Sequence, residues 1–237
     1  AGRLSRRSDD LPGRRRFADL PAWKYGTASE SRSVVERLAR LTAAEQVRIG
    51  HQPERRDIDV ARARSNETKG YRHSFDMLGE GARTEEDARR YYKSYSDAIE
   101  AIGQAAGNKA LPDRPGISVK LSALHPRYVV TQKARVMAQL VPLVLQLAQK
   151  AKIFDLNFTI DAEQVDRLEL SLDVIDAVFA DPSLVDWDGF GLAIQAYQKR
   201  AREVIRHIEA LAIKHKRRMM VRLVKGAYWD AEIKRAQ

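Results

Sequence analysis

The sequence contains no cysteine, which excludes disulfide bonds and thiolate metal sites and is consistent with a reducing cytoplasm. It also lacks any run of about 18 apolar residues, so we expect no transmembrane helix. Its first residues lack the apolar core of a secretion signal. His73, His125, His207 and His215 are not spaced with nearby acids as metal ligands are, so we predict no metal site.

The 237 residues are 44% hydrophobic and 31% charged, which suits one large domain or part of a larger protein. Much of the net charge of +10 lies in residues 1–40, where nine arginines and one lysine face five acids. We interpret residues 1–58 as an unassigned basic segment that is solvated and partly disordered. An arm that binds nucleic acid or a membrane surface is the alternative, although neither aromatic interleaving nor a recognised motif supports it.

Helical spacing of apolar residues predicts two helices in this first part of the chain. The segment 33–49, "SVVERLARLTAAEQVRI", places Val34, Leu38, Leu41 and Val47 near one face. The segment 60–70 predicts a short helix that ends at Gly70.

From Tyr71 onward, strand and helix patterns alternate. The five predicted strands are "RHSFDML", "GISVKLS", "NFTIDA", "GFGLAIQAY" and "MMVRLVKGA", with helices between them and a further helix from about Asp230. Thr84 is the predicted N-cap of the first of these helices. Such alternation favours a parallel sheet, either a partial (β/α)8 barrel or an open doubly wound sheet. No GxGxxG follows the first strand, which weakens the dinucleotide-binding open sheet.

Each predicted strand carries one polar residue beside apolar neighbours: Asp76, Lys120, Asp161, Gln195 and Arg222. Because side chains alternate across a strand, these residues all point away from the helices, toward the interior of a barrel. They lie near the carboxyl ends of their strands, where barrel active sites form. Charged groups there are costly unless they are paired or bind a ligand. The alternative interpretation is a buried polar network that fixes the barrel register.

Five segments resemble the proline dehydrogenase domain of the bifunctional proline utilisation A flavoproteins. They are "GYRHSFDMLGEGARTEEDARRYY", "PGISVKLSALHPRY", "FTIDAEQVDRLELSLDV", "GFGLAIQAYQKRA" and "VRLVKGAYWDAEIKRAQ", in the family's order, and they cover about residues 59–237. The resemblance implies a (β/α)8 barrel that binds FAD at its carboxyl end and oxidises L-proline to Δ1-pyrroline-5-carboxylate. It further implies hydride transfer to flavin N5 and electron transfer to a membrane quinone.

The resemblance also implies roles for individual residues. Lys120 and Asp76 would lie beside proline, Tyr228 between flavin and substrate, and Glu80 would support a substrate-binding arginine. The residues that would contact FAD are Asp161, Ala162, Gln195, Arg222, Val224, Gly226, Ala227 and Trp229. The chemistry of these residue types agrees, since Arg222 is permanently charged and Gly226 lets backbone approach a flat ring. Packing at the strand end is the alternative for the two aromatic residues.

By this resemblance we expect a fragment that ends after the fifth barrel strand, and we leave open whether it binds FAD or is active. We expect a cytoplasmic protein, peripheral on the inner face of the membrane, that forms a homo-oligomer. We do not expect nucleic-acid binding without the family's DNA-binding region. A non-catalytic remnant that acts through its basic segment is the main alternative, and a barrel for another flavin or phosphate ligand is a weaker one.

Overall fold

A six-stranded parallel sheet organises the described part of the protein. The computed structural model describes residues 44–49, 56, 59–63, 72–77, 79 and 81–236. The strands lie in chain order across the sheet. They are β1 (Ala44–Ile49), β2 (Arg72–Met77), β3 (Gly116–Val119), β4 (Asn157–Ile160), β5 (Phe190–Gln195) and β6 (Met220–Val224).

An α-helix follows each strand from β2 onward. The helices are α1 (Glu85–Ala105), α2 (Lys133–Ile153), α3 (Leu168–Phe179), α4 (Ala201–His215) and α5 (Trp229–Ala236). This order confirms the predicted α/β class and the five predicted β/α units. Residues 59–63 are helical, in agreement with the start of the predicted helix at 60–70, whereas 64–70 lie outside the described residues. In the described part of the chain, no helix is long and apolar enough to cross a membrane.

The alternation along β2 separates the apolar core from the polar face of the sheet. His73, Phe75 and Met77 are buried, whereas Ser74 and Asp76 on the opposite face are half-buried. The buried side packs against the helices, where the ring of Phe190 lies 6.0 Å from that of Phe158 and 5.9 Å from that of Phe179. The polar side chains are therefore left on the concave side of the sheet.

The N-terminus of α1 is capped as predicted. The Thr84 hydroxyl accepts a hydrogen bond from the Asp87 N–H at 3.0 Å, and the Asp87 carboxylate accepts one from the Thr84 N–H at 3.2 Å. This reciprocal capping box satisfies two backbone donors that the helix itself cannot.

The prediction of a helix over 33–49 is wrong at its C-terminal end, because residues 44–49 form β1. Strand β1 pairs in parallel with β2 over its full length, from Ala44 opposite Arg72 to Ile49 opposite Met77. The edge of β2 offers unpaired backbone groups, and the hydrogen bonds of a sheet ladder override a weak helical pattern. Residues 33–43 lie outside the described residues.

The sheet is curled in the manner of a barrel wall. Arg222 of β6 donates to the Ser74 hydroxyl of β2 at 2.9 Å, although the two strands are four strand spacings apart. In a flat sheet that separation would be roughly 19 Å, which exceeds the length of an arginine side chain. Among the described strands, β1 and β6 are not paired with each other, so the sheet remains open there.

Candidate active site

Three charged residues from neighbouring strands meet at the carboxyl end of the sheet. Lys120, immediately after β3, donates to the Asp76 carboxylate at 2.5 Å and to the Asp161 carboxylate at 3.1 Å. Asp76 belongs to β2, and Asp161 directly follows β4. Their side chains are only 9–17% exposed. The lysine therefore separates two carboxylates that would otherwise repel each other in a poorly solvated place.

Arg222 completes this cluster from the opposite side of the curled sheet. Its guanidinium donates to Asp161 and to the hydroxyls of Ser74 at 2.9 Å and Ser118 at 2.7 Å. Its Nε atom is buried without a hydrogen-bond partner, which leaves one N–H available to a ligand. Two cations and two carboxylates thus balance in charge, as the alternation of the strands predicted.

Burial and ion pairing act in opposite directions on the protonation of this cluster. Burial alone would lower the pKa of Lys120, but Asp161 and Asp76 outweigh it and raise that pKa. Burial raises the pKa of Asp161, and the cations Arg222 and Lys120 offset only part of that rise. Lys120 is therefore firmly charged at neutral pH, whereas Asp161 still carries a desolvation cost that a polar ligand could relieve.

The main-chain position of Lys120 is fixed from the helix layer. Its backbone N–H donates to the Tyr95 hydroxyl of α1 at 3.1 Å, and Tyr95 is fully buried. Burial raises the pKa of Tyr95 well above its ordinary value. The tyrosine stays neutral and supplies a hydroxyl oxygen that accepts from the strand end.

Glu163 links three strand ends and was missed by the sequence reasoning. Its buried carboxylate accepts from the Ser122 N–H at 2.9 Å and from Arg167 at 3.2 Å. Its carbonyl oxygen accepts from the Gln195 side chain at 2.8 Å. The only available signal was its position two residues after Asp161, which is weak because the chain has left the strand there.

Gln195 connects this side of the site to the segment after β6. Its Oε1 atom accepts from the Ala227 N–H at 3.1 Å. Together with Asp161, Ala162 and Glu163, it lines a cavity under α3 and α4. The predicted residues Asp161, Ala162, Gln195 and Ala227 are therefore brought together.

The segment Lys225–Trp229, here called the aromatic loop, connects β6 to the first residue of α5. Gly226 has a φ of +129°, and a Cβ atom there would lie 1.9 Å from the Tyr197 ring. Only glycine fits such a conformation and contact. Val224 and Tyr228 are half-buried, whereas Trp229 is 56% exposed. Glu80, the remaining predicted site residue, lies outside the described residues.

Comparison with known proteins places this sequence in one family. The profile described as "Proline dehydrogenase" matches residues 60–237. The chain belongs to the proline dehydrogenase family. The resemblance inferred from the five sequence segments is thereby confirmed.

The curated relatives of this member of the family are bacterial. It is 52% identical over 178 residues to the "Bifunctional protein PutA" of Klebsiella aerogenes, a match that covers 75% of this chain and 14% of the relative. It is 43% identical to that of Rhizobium meliloti, over 93% of this chain and 19% of the relative. That second match reaches into residues 1–58, whose boundary stays a prediction. The chain spans less than a fifth of the length of these relatives.

Solved structures agree with the fold of a proline dehydrogenase. A variant of Bradyrhizobium japonicum Proline Utilization A matches with a TM-score of 0.73 and 61% identity, over 88% of this chain and 21% of the other. The corresponding protein from Bdellovibrio bacteriovorus, inactivated by N-propargylglycine, matches with a TM-score of 0.70 and 25% identity. The partial barrel is therefore the expected architecture for this sequence.

Proposed function

We propose that this chain contributes the residues of a site that oxidises L-proline to Δ1-pyrroline-5-carboxylate with FAD as cofactor. The observation that carries the proposal is the charge-balanced cluster of Asp76, Lys120, Asp161 and Arg222 at the carboxyl end of the sheet. Membership of the proline dehydrogenase family supports the same reaction.

The residues present suit a flavin in two respects. Arg222 has a buried Nε–H without a protein partner, as expected of a donor that faces a ring nitrogen or carbonyl oxygen. At Gly226 the Tyr197 ring fills the place that a Cβ atom would take, so the chain needs glycine there, and a bare backbone can approach a flat group closely. When bound, a flavin supplies the acceptor for the two electrons removed from the substrate.

The residues that we propose to contact FAD are Asp161, Ala162, Gln195, Arg222, Val224, Gly226, Ala227 and Trp229. Arg222 and Gln195 would hold the cofactor by hydrogen bonds, and Trp229 would offer a stacking face. The positive charge of Arg222 would favour the reduced, anionic cofactor.

Proline is a zwitterion, and the cluster offers both charges that it needs. Lys120 would bind the carboxylate, while Asp76 would balance the ammonium group. Tyr228 would limit the space above the ring, and Glu80 would support a substrate-binding arginine. Because ligand charges can replace ion pairs within the cluster, proline would bind without leaving a buried charge unpaired.

Further proposals follow from the resemblance alone. The electron acceptor would be a membrane quinone, and the protein would be cytoplasmic, peripheral on the inner face of the membrane, and homo-oligomeric. Each of these properties would belong to a whole protein of which such a domain forms part.

The test is the visible spectrum of the purified chain after incubation with FAD and removal of free cofactor. We expect a bound flavin band that bleaches on addition of proline, and Arg222→Ala should greatly reduce flavin retention. Arg218→Ala is the matched control, because Arg218 is 87% exposed and pairs weakly with Asp188. A colourless wild-type chain that is retained on immobilised DNA, with steep salt dependence, would instead favour the non-catalytic alternative.

A further inference from the structure

Glu232 in the first turn of α5 joins two other loops at the carboxyl end of the sheet. One carboxylate oxygen accepts from the Val165 N–H, after β4, at 2.9 Å. The other accepts from the Tyr197 hydroxyl, after β5. A single side chain therefore connects α5 to the segments that follow β4 and β5.

The ring of Tyr197 lies directly against the aromatic loop. Its ring atoms occupy the place where a Cβ on Gly226 would be. The ring also makes an edge-on contact with Trp229, with centroids 5.6 Å apart and planes at 82°. The Tyr197 backbone N–H donates to the Lys225 carbonyl at 3.2 Å. Tyr197 thus contacts the loop near both of its ends.

The aromatic loop has little apolar burial of its own. Trp229 is 56% exposed, and Lys225 and Ala227 are also exposed. A segment with few buried apolar contacts opens easily unless directional contacts hold it. The ring of Tyr197 and the Gln195–Ala227 hydrogen bond supply directional contacts that hold the loop in this position.

We propose that Tyr197 and Glu232, here called the Tyr197–Glu232 clasp, are positioning residues that hold the aromatic loop closed against the candidate site. They act through Gly226 and Trp229, and do not themselves touch a substrate. The consequence for catalysis rests on the proposed function, whereas the effect on loop position does not. Burial and Glu232 raise the pKa of Tyr197 to about 12, so the hydroxyl remains a donor throughout the neutral range.

Tyr197→Phe is the decisive variant because it removes only the hydroxyl and keeps the ring. Loss of one hydrogen bond should lower the closed-to-open ratio of the loop roughly fivefold. The measurement is the fluorescence of Trp229, both its emission wavelength and its quenching by acrylamide. The signal of Trp229 is isolated by subtracting the spectrum of the same protein that also carries Trp229→Phe. We expect stronger quenching and a red shift in Tyr197→Phe.

Tyr92→Phe is the matched control, since the Tyr92 hydroxyl also bonds a distant side chain, Gln146, at 2.9 Å on the outer helices. It should leave Trp229 unchanged. Unchanged Trp229 fluorescence in Tyr197→Phe, or an equal change in both tyrosine variants, would overturn the proposal.

Glu232→Gln provides an independent check, because the amide can still accept one of the two hydrogen bonds. We expect an intermediate effect, and no further effect when Tyr197→Phe is added to Glu232→Ala. Additive effects would contradict a shared contact.

Since fluorescence requires neither flavin nor proline, failure of the clasp is distinguishable from failure of the proposed function. Where the Tyr197 and Glu232 variants retain flavin, they should raise the KM for proline more than they lower kcat.

Discussion

Lys120 is the residue on which the charge balance of the candidate site depends. Lys120→Met would leave Asp76 and Asp161 close together with Arg222 as their nearest cation, and Arg222 bonds only Asp161 of the two. Removing one partner of a poorly solvated ion pair costs about 3 kcal/mol. We expect a loss of that order in the free energy of unfolding, measured with urea at pH 7.

A paired variant separates charge from packing. Lys120→Met combined with Asp76→Asn removes one charge of each sign and should recover part of the lost stability. If the single variant is as stable as the wild type, the lysine is not held between the carboxylates as described.

The face occupied by the charged residues of the site could be predicted from the sequence, because side chains alternate along a strand whatever the fold. Asp76, Lys120 and Arg222 each stand between apolar neighbours, which fixes the face that they occupy. Ser74 and Ser118 have the same parity, yet serine is common on both faces, so their sequence positions carried no signal. Their role appears only when the curled sheet brings Arg222 across to them.

The capping box of α1 offers a test of how much one helix end contributes. Thr84→Ala removes the hydroxyl that accepts from the Asp87 N–H and should cost about 1 kcal/mol of unfolding free energy. Thr84→Ser keeps the acceptor and should retain nearly all of the wild-type value. Urea titrations of the three proteins give the comparison, and equal losses in both variants would rule out the cap as the cause.

Elements with strong periodic patterns were predicted to within a few residues, whereas β1 was not. Apolar residues recur at helical spacing along α1, where Ala88, Tyr95, Ile99 and Ile102 are buried and Tyr91 and Tyr92 are half-buried. Residues 44–49 have no such strong periodic pattern, and we attribute their strand conformation to pairing with β2. A strand conformation that depends on a distant pairing partner cannot be predicted from the six residues of the strand alone.

The curled sheet gives contacts between residues that are far apart in sequence. Arg222 and Ser74 are 148 residues apart, yet they are joined by a hydrogen bond. Helix α5, which follows the aromatic loop, is likewise joined to the segments after β4 and β5 through the Glu232 carboxylate. The residues of the candidate site therefore come together only when the sheet has assembled, and their contacts form only in the folded protein.

Stability at alkaline pH should reflect the buried proton donors of the whole molecule. Burial raises the pKa of Tyr95 above its ordinary value of 10.0, and the carboxylates of Asp161 and Asp76 raise the pKa of Lys120 above its ordinary value of 10.5 in spite of burial. Below these values both the folded and the unfolded chain hold the proton, so neither group makes stability depend on pH. Above them the unfolded chain loses the proton first, and the free energy of unfolding falls by about 1.4 kcal/mol per pH unit for each such group.

We therefore expect unfolding free energies that are level between about pH 7 and 9 and that fall above about pH 10. Tyr95→Phe removes one of these protons and also the acceptor for the Lys120 N–H. The variant should be about 1 kcal/mol less stable at pH 8, but its alkaline decline should be shallower. The two curves of unfolding free energy against pH should thus converge or cross near pH 11, because the difference in slope offsets the lost hydrogen bond within about one pH unit. Parallel curves would mean that Tyr95 ionises as readily in the folded protein as in the unfolded chain.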